Sequence, residues 1–405
     1  MERKKRVAVL FGGRSPEHDV SVITGLQALA AIDRSRFDPF PVYITLRGEW
    51  YIGEPLAERK SYLPTAEILD RCTRVRFDLT PNSLGTGMLV HESSGWLRRA
   101  KTTEFDVALL AFHGLNGEDG TLQGAFELAH VPYTGARALT SSLWMDKAST
   151  KTLLAASGVP LLPQRTIARP RDSRVPDAEK IQAIIAGLSF PFIVKPNHLG
   201  SSIGVARANN IDEMRSVLAM IFKLDTLAII EPFVENLVEY NVAVNRLGGT
   251  LRTSAIERPK RTAELLDFKQ KYMSGGKGGK TKGGGGASRA SEGMLSLTRD
   301  ISPKLPADLE ETIRSSAMTC FELSQGNGSP RIDFLSNEKT GEVWLNEVNP
   351  CPGSFGYFLW EAAASPILFT DLLTGLMEEA VFLHRESALP DDPVPKDAQL
   401  LPRKS

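Results

Sequence analysis

The feature that most limits the fold stands at the start of the chain. Residues 7–11 (VAVLF) form a short β-rich apolar run that closes on Gly12-Gly13. Ser15, Pro16 and Glu17 follow: a capping residue, a proline at the first helical position and an acid in the first turn. The pattern predicts a strand, a glycine turn and a helix through about Ala31. Residues 39–44 read as a second strand and 106–112 (DVALLAF) as a third, buried one. Strands alternating with helices predict an open, mostly parallel α/β sheet. In such sheets ligands lie outside the carboxyl ends of the strands. Gly12-Gly13 and His113-Gly114, the latter followed by Asn116 to Gly120, fall at such ends. Two polar, glycine-rich loops are therefore expected on one rim.

Farther along, a helix is expected over 145–157, stopped by Gly158 with Pro160 beyond. Strands are expected at 192–195, 227–230 and 239–245, with a glycine-serine loop at 200–204. Residues 275–293 are low in complexity, built of Gly, Lys and Ser with no apolar face to bury, and read as a mobile loop. A helix over 308–324, strands at 331–335 and 343–349 and a final helix over 367–383 complete the pattern, before a loose, Pro-rich tail at 389–405.

Composition removes whole classes of function. With 42% hydrophobic and 24% charged residues over 405 positions, the chain is globular and large enough for two or three domains. Its 48 basic and 48 acidic residues cancel, so no global field favours nucleic acid or a membrane surface. No run approaches the roughly 18 apolar residues of a membrane span. The three cysteines, Cys72, Cys320 and Cys351, are too few and too scattered for a disulfide framework or a Cys-based zinc site. A cytoplasmic protein is expected.

One motif misleads. SGGKGGKT at 274–281 is one residue from a phosphate-binding P-loop. A working P-loop needs a buried strand before it and a helix after it, and here four more glycines follow. A flexible loop is the better reading. The pair of strands near the end is more informative. Arg331 and Asp333 share one strand face, and Glu347 and Asn349 share one face of the next. A turn centred near Thr340 would set Asp333 opposite Glu347 and Arg331 opposite Asn349. Three hard oxygen donors suit Mg²⁺, and an arginine beside them suits an anionic transition state. Taken alone, the same residues also describe an exposed face with a surface ion pair. Upstream, Lys195 ends a buried strand, and the loop behind it can approach phosphates through backbone N–H groups. Together these features describe a nucleotide held between two layers.

At this point the sequence resembles the D-alanine–D-alanine ligases, members of the ATP-grasp superfamily, from Val7 to about Leu383. The motifs that carry the resemblance are FGGRSPEHDVS at 11–21, HGLNGEDGTLQG at 113–124, PYTG at 132–135, MDK at 145–147, KPNHLGSS at 195–202, KY at 271–272, RID at 331–333 and NEVNP at 346–350.

The resemblance implies three domains: an N-terminal open α/β substrate domain at 1–146, a central domain at 147–234 and a C-terminal domain at 235–388. It implies that Lys147 and Lys195 hold ATP phosphates, that Glu231 and Val234 meet the adenine, and that Glu239 meets the ribose. Asp333, Glu347 and Asn349 would hold two Mg²⁺ ions, with Mn²⁺ as a possible substitute. Glu17 would bind the ammonium of the first D-alanine, aided by Ser201 and Tyr272, with His113 near its carboxylate. Lys271 and Tyr272 would open a loop that closes over the centre. Arg331 and the Gly353 backbone would stabilise the oxyanion. A homodimer working in peptidoglycan precursor synthesis is implied as well.

The chemistry suits such residues, because making an acyl phosphate from a carboxylate and ATP is mainly charge neutralisation and in-line positioning. Two departures stand out. The glycine-rich run replaces a compact closing loop. Leu359 is where the family has the second member of a serine-leucine pair for the second substrate's carboxylate, but Phe358 replaces the serine. A ligase with another acceptor, a different D-amino acid or a hydroxy acid, is the first alternative. A catalytically idle nucleotide-binding relative is the second, and the intact set of Lys195, Arg331, Asp333, Glu347 and Asn349 speaks against it.

Overall fold

The computed structural model describes residues 3–62, 68–82, 84–92, 101–172, 175–260 and 299–387. Lys271, Tyr272, the glycine-rich stretch 275–293 and the tail 389–405 lie outside the described residues. The described chain is built on three sheets.

The first sheet contains β1 (Lys5–Gly12), β2 (Phe37–Ile44), β3 (Trp50–Ile52), β4 (Thr73–Asp78), β5 (Gly87–His91), β6 (Thr102–Phe105) and β7 (Val107–Leu110). Their order is β6-β5-β4-β3-β2-β1-β7. Parallel pairing is confined to β2-β1-β7. From β2 outward the strands pair antiparallel, so the mostly parallel sheet expected from the sequence is a mixed one. The connections explain the difference. Helix α1 (His18–Ala31) joins β1 to β2 and gives a parallel crossover, whereas only residues 45–49 separate β2 from β3. So short a link cannot carry a chain back to a parallel start.

Val7, Val9 and Phe11 face α1, while Ala8 and Leu10 face Val42, Leu110 and Phe126 on the other side. A strand covered on both faces reads as an unbroken apolar run, which is why this segment was legible. The helix lies very close: a Cβ added to Gly25 would sit 2.4 Å from the Phe11 ring. It also begins later than the sequence suggests, at His18, with Ser15 Oγ accepting the Glu17 N–H at 3.1 Å. Glu17 occupies the cap position, yet its side chain does not cap the helix.

The second sheet is antiparallel, β10-β9-β11-β8, from β8 (Arg165–Ala168), β9 (Phe192–Pro196), β10 (Ala206–Ala208) and β11 (Leu227–Pro232). Ile181, Met214, Leu218 and Ile221 from two helices pack on Phe192, Val194, Ala228 and Ile230. The third sheet runs β14-β13-β12-β15-β16, from β12 (Leu237–Asn245), β13 (Arg252–Pro259), β14 (Arg299–Ile301), β15 (Arg331–Asn337) and β16 (Val343–Asn349). One face buries Ile332, Phe334, Leu345 and Val348 against Ile313, Ala317 and Phe321 of the helix Ala307–Leu323. That leaves Arg331, Asp333, Glu347 and Asn349 for the other face.

The last helix, Phe369–Glu386, packs its Leu372, Leu373, Leu376 and Met377 into the same cluster as Val7, Val107 and Leu109 of the first sheet. Each such leucine contributes about 1.5–3 kcal/mol on burial. The helix thereby fastens the end of the chain to its beginning, and the loop at 350–353 is held beneath the rim of the first sheet. No described helix is long and apolar enough to cross a membrane.

Candidate active site

The first corner of the site forms where the β1 and β7 rims meet the loop after β9. Ser201 Oγ donates to Glu17 Oε1, joining residues 184 positions apart. The carboxylate lies against backbone: a Cβ on Gly114, whose φ is +72°, would approach Glu17 Oε2 to 2.5 Å. A side chain there would have to displace the Glu17 carboxylate and would be strained at this φ. His113 is buried, its Nε2 2.8 Å from Thr24 Oγ1. Burial is the main cause that lowers its pKa to about 4, so the imidazole is neutral and offers a hydrogen bond rather than a charge.

Glu118 belongs to the same corner, and the sequence reading gave it no role. Its carboxyl accepts the N–H of Gly114 at 2.5 Å and that of Cys351 at 2.7 Å, tying the two loops together. Burial raises its pKa to about 8, against the lowering effect of those N–H donors. A small cavity of about 30 Å³ beside it is also lined by Gln123, Thr134, Ser141, Ser329 and Cys351.

The second corner is cationic. Lys147 opens the helix Lys147–Leu154, whose Asp146 cap accepts the Ser149 N–H at 2.7 Å. Its Nζ donates to the Leu199 carbonyl at 2.8 Å and lies 3.3 Å from Glu347. Lys195 Nζ reaches Glu231 at 2.8 Å and Asn346 Oδ1 at 2.8 Å. Lys151, one turn beyond Lys147, also pairs with Glu231. Burial pushes the Glu231 carboxyl up, but Lys151 and Lys195 outweigh it and hold it at about 2. The Glu231 side chain, expected near an adenine, is therefore committed to the two lysines. Val234 is buried in the connection after β11, and Glu239 lies on β12 opposite Leu335.

The third corner is the sheet face. A row of partners crosses four strands: Glu257 on β13, Asn241 on β12, Asp333 on β15 and Glu347 on β16. Arg331 stands opposite Asn349, as the sequence predicts. The guanidinium of Arg331 grips Asp333 with two bonds of 2.7 Å, and Asn349 Nδ2 donates to Asp333 Oδ2 at 2.9 Å. Burial works against the Arg331 charge, but the Asp333 carboxylate outweighs it and keeps the guanidinium charged. Lys147 and Lys195 lower the Glu347 carboxyl against the effect of burial. Two carboxylates and an amide oxygen on one rigid face are a donor set that fits a hard divalent cation. Gly353 borders open space, since a Cβ there would meet nothing within 4 Å. Leu359 is fully buried in the core, and its neighbour Phe358 lies under the Arg299 guanidinium, 4.7 Å from ring centroid to Cζ.

The corners are continuous. Contacts run from Glu17 through Ser201 and its loop to Lys147, then to Glu347, Asp333 and Arg331. Such a site can hold an ammonium at one end and several phosphate oxygens at the other, beside an arginine aimed at developing negative charge.

Comparison with known proteins gives this arrangement its context. The family model described as D-ala D-ala ligase N-terminus matches residues 6–136, and that described as D-ala D-ala ligase C-terminus matches 153–283 and 291–378. A D-alanine–D-alanine ligase of Deinococcus radiodurans is 32% identical, over 93% of this chain and 99% of the relative. One from Thermosipho africanus is 32% identical over 88% of each. Among solved structures, a D-Ala:D-Ser ligase from Enterococcus faecalis superposes with a TM-score of 0.70 at 25% identity, covering 94% of this chain and 100% of that one. The D-alanine–D-alanine ligase of Coxiella burnetii gives 0.74 at 23% identity, over 95% and 96% of the two chains, a likeness of fold. Fold, motifs and relatives agree: this chain belongs to the D-alanine–D-alanine ligase family of enzymes.

Proposed function

We propose that this enzyme joins two D-alanines with the hydrolysis of ATP, through an acyl phosphate, on three units spanning 1–146, 147–234 and 235–388. What carries the reading is the unbroken run of contacts from Glu17 to Arg331, an ammonium site at one end and an anion-stabilising site at the other.

Glu17, oriented by Ser201 and backed by Gly114, takes the ammonium of the first D-alanine. Neutral His113 lies on the side of its carboxylate. Lys147 and Lys195 hold the phosphates, with buried Glu231 fixing Lys195 in place. Val234 and the Glu231 backbone face the adenine, and Glu239 the ribose. Asp333, Glu347 and Asn349 are the residues that would hold Mg²⁺, two ions in this reading and replaceable by Mn²⁺, which neutralises phosphate charge when bound. The first carboxylate attacks the γ-phosphoryl group and ADP leaves. The amine of the second D-alanine attacks the acyl carbon, Arg331 and the Gly353 N–H receive the oxyanion, and phosphate departs. Lys271 and Tyr272, for which the resemblance implies a role over the centre, lie outside the described residues. The expected setting is a cytoplasmic homodimer supplying peptidoglycan precursors.

Two observations favour a second reading, a different acceptor. Phe358 stands where the family has a serine, and one similar solved structure is a D-Ala:D-Ser ligase. The test is a mass-spectrometric product assay with ATP, Mg²⁺ and D-alanine, D-serine, D-lactate and a bulkier D-amino acid. D-alanyl-D-alanine as the main product is expected, and its absence while another product forms would leave only the ligase class. Glu347→Gln should nearly abolish ADP release with the fold intact. Turnover within a few-fold of wild type in metal-limited buffer would remove Glu347 from the metal site.

A further inference from the structure

The acceptor amino acid carries a carboxylate that must meet a donor on the Gly353 side of the site. The cations already described have other roles in the reading above: Lys147 and Lys195 serve the phosphates, Lys151 is buried against Glu231, and Arg331, which holds both oxygens of Asp333, serves the oxyanion. The polar side chains nearest Gly353 in sequence already have partners. Ser354 Oγ pairs with Gln27 on α1, and the Tyr357 ring stacks on Phe369 at 4.6 Å.

Arg299 on β14 is placed differently. Its Nη1 donates to both oxygens of Glu257, at 2.9 and 3.3 Å. Glu257 is fully buried and is anchored in turn by Asn241 Nδ2 at 2.9 Å. It ends the row that carries Asp333 and Glu347, and its charge is felt at Arg331. Arg299 thus lies at the end of this row, with Glu257 and Asn241 between it and Asp333. Its guanidinium covers Phe358, on the short helix that follows Gly353, and remains about a third exposed. A guanidinium presents five donors in a rigid plane and can serve a second carboxylate while its Nη1 serves the first. The ring beneath it closes one face to water and adds a cation–π contact.

We infer that Arg299, anchored by Glu257 and laid over Phe358, receives the carboxylate of the acceptor amino acid and makes that carboxylate a requirement. The inference rests on the dipeptide-forming reading above and assigns one contact of that site. A site built around a charged partner discriminates strongly against an analogue that lacks it.

The experiment is a competition between D-alanine and D-alaninamide as acceptors, with D-alanine as donor and ATP and Mg²⁺ present. The ratio of D-alanyl-D-alanine to D-alanyl-D-alaninamide is read by mass spectrometry, and such a ratio does not depend on how much enzyme is folded. Wild type should favour the free acid. Arg299→Gln should lower the ratio by about ten- to a hundredfold, the loss expected for one charge-assisted hydrogen-bonded contact. Arg299→Lys, which keeps the charge without the fork, should fall between. A ratio in Arg299→Gln within about twofold of wild type would overturn the assignment and leave Arg299 as a neutraliser of Glu257. If wild type forms no D-alanyl-D-alanine at all, it is the parent reading that fails, a result visible before any variant is made.

Discussion

Lys195 Nζ donates to Asn346 Oδ1 at 2.8 Å, and Asn346 is the residue at which β16 bulges against β15. The register passes from Asp333 opposite Glu347 to Phe334 opposite Leu345, so Asn346 is the extra residue on its strand. Strict alternation from Val343 and Leu345, both buried, would have sent Glu347 into the core. The bulge turns Glu347 and Asn349 to the face of Asp333 and leaves Val348 inside.

Asn346→Ala and deletion of Asn346 should therefore both keep Glu347 on the face of Asp333. The alanine variant keeps the extra residue and loses one partner of Lys195. It should fold and lose roughly tenfold in kcat/KM, in line with about 1–1.5 kcal/mol for one hydrogen bond. The deletion removes the extra residue and joins Leu345–Phe334 and Glu347–Asp333 into one regular ladder, with Glu347 still on the face of Asp333 and Val348 still inside. It too should fold, losing the same partner of Lys195 and the local bend of the bulge. Circular dichroism melts and ADP-release kinetics test both variants. A deletion variant that fails to melt cooperatively would show that the strand needs the extra residue to hold this register.

Lys151 is the second test of the buried charge cluster. Glu231 is shared by Lys151 and Lys195, and all three are buried. Removing Lys151 leaves Glu231 with Lys195 as its remaining cation, which weakens the buried cluster without breaking it. The cost should be less than the roughly 3–5 kcal/mol of a buried pair broken outright. Lys151→Met should lower the unfolding free energy by about 1–3 kcal/mol. The double variant Lys151→Met, Glu231→Gln should recover part of the loss, since the under-compensated carboxylate goes too. Chemical denaturation of the single and double variants measures this, and a double variant no more stable than the single one would show that Glu231 is satisfied without Lys151.

Which parts of the site were legible follows from the same geometry. Arg331 and Asp333, two apart on a strand that buries Ile332 and Phe334, announced their face directly. Glu347 and Asn349 were paired with them correctly, although the bulge that makes the pairing possible leaves no trace in alternation. The Glu17–Ser201 contact spans 184 positions and was reachable only through the family resemblance. Lys151 was missed despite a usable signal, since it lies four residues beyond Lys147 on the same helix face. Glu118 was missed because an acid in a glycine loop reads as solvated, and only packing puts it inside. Strands β3 to β6 were missed because they are short, three to six residues each, which turned an expected parallel sheet into a mixed one.

Glu17 distinguishes binding from helix electrostatics. An acid at a helix start that merely complements the dipole is worth about 0.3–1 kcal/mol. Its carboxylate here turns to Ser201 rather than to the first helical N–H groups. Glu17→Gln should then raise the KM for the donor D-alanine by more than about tenfold, as expected for loss of a charged partner, and shift the melting temperature little. Parallel small losses in both would return Glu17 to a structural role.

His198 offers a pH test. Its Nδ1 lies 2.8 Å from Asp225 and its Nε2 3.3 Å from Asp146, the residue that caps the helix opened by Lys147. Hydrogen bonding to Asp225 is the first cause that raises its pKa above the usual 6.5. Burial opposes the shift, and the charges of Asp225 and Asp146 reinforce it. A histidine whose folded pKa is raised binds more protons when folded, so its stabilisation is complete below the unfolded value and is lost as pH rises through the folded one. Wild type should lose stability from about pH 6.5 upward relative to His198→Asn, which has no proton to lose at this position. Glu118, with its pKa raised to about 8, destabilises the fold over an overlapping range, but it is present in both proteins and cancels in the difference. The measurement is the melting temperature of both proteins from about pH 5.5 to 9 at constant ionic strength. A difference curve that is flat, or that rises with pH, would show that the two aspartates do not hold His198 in its charged form. A falling curve accompanied by a matching loss of ATP affinity in the variant would place the His198 contact with Asp146 in the support of Lys147.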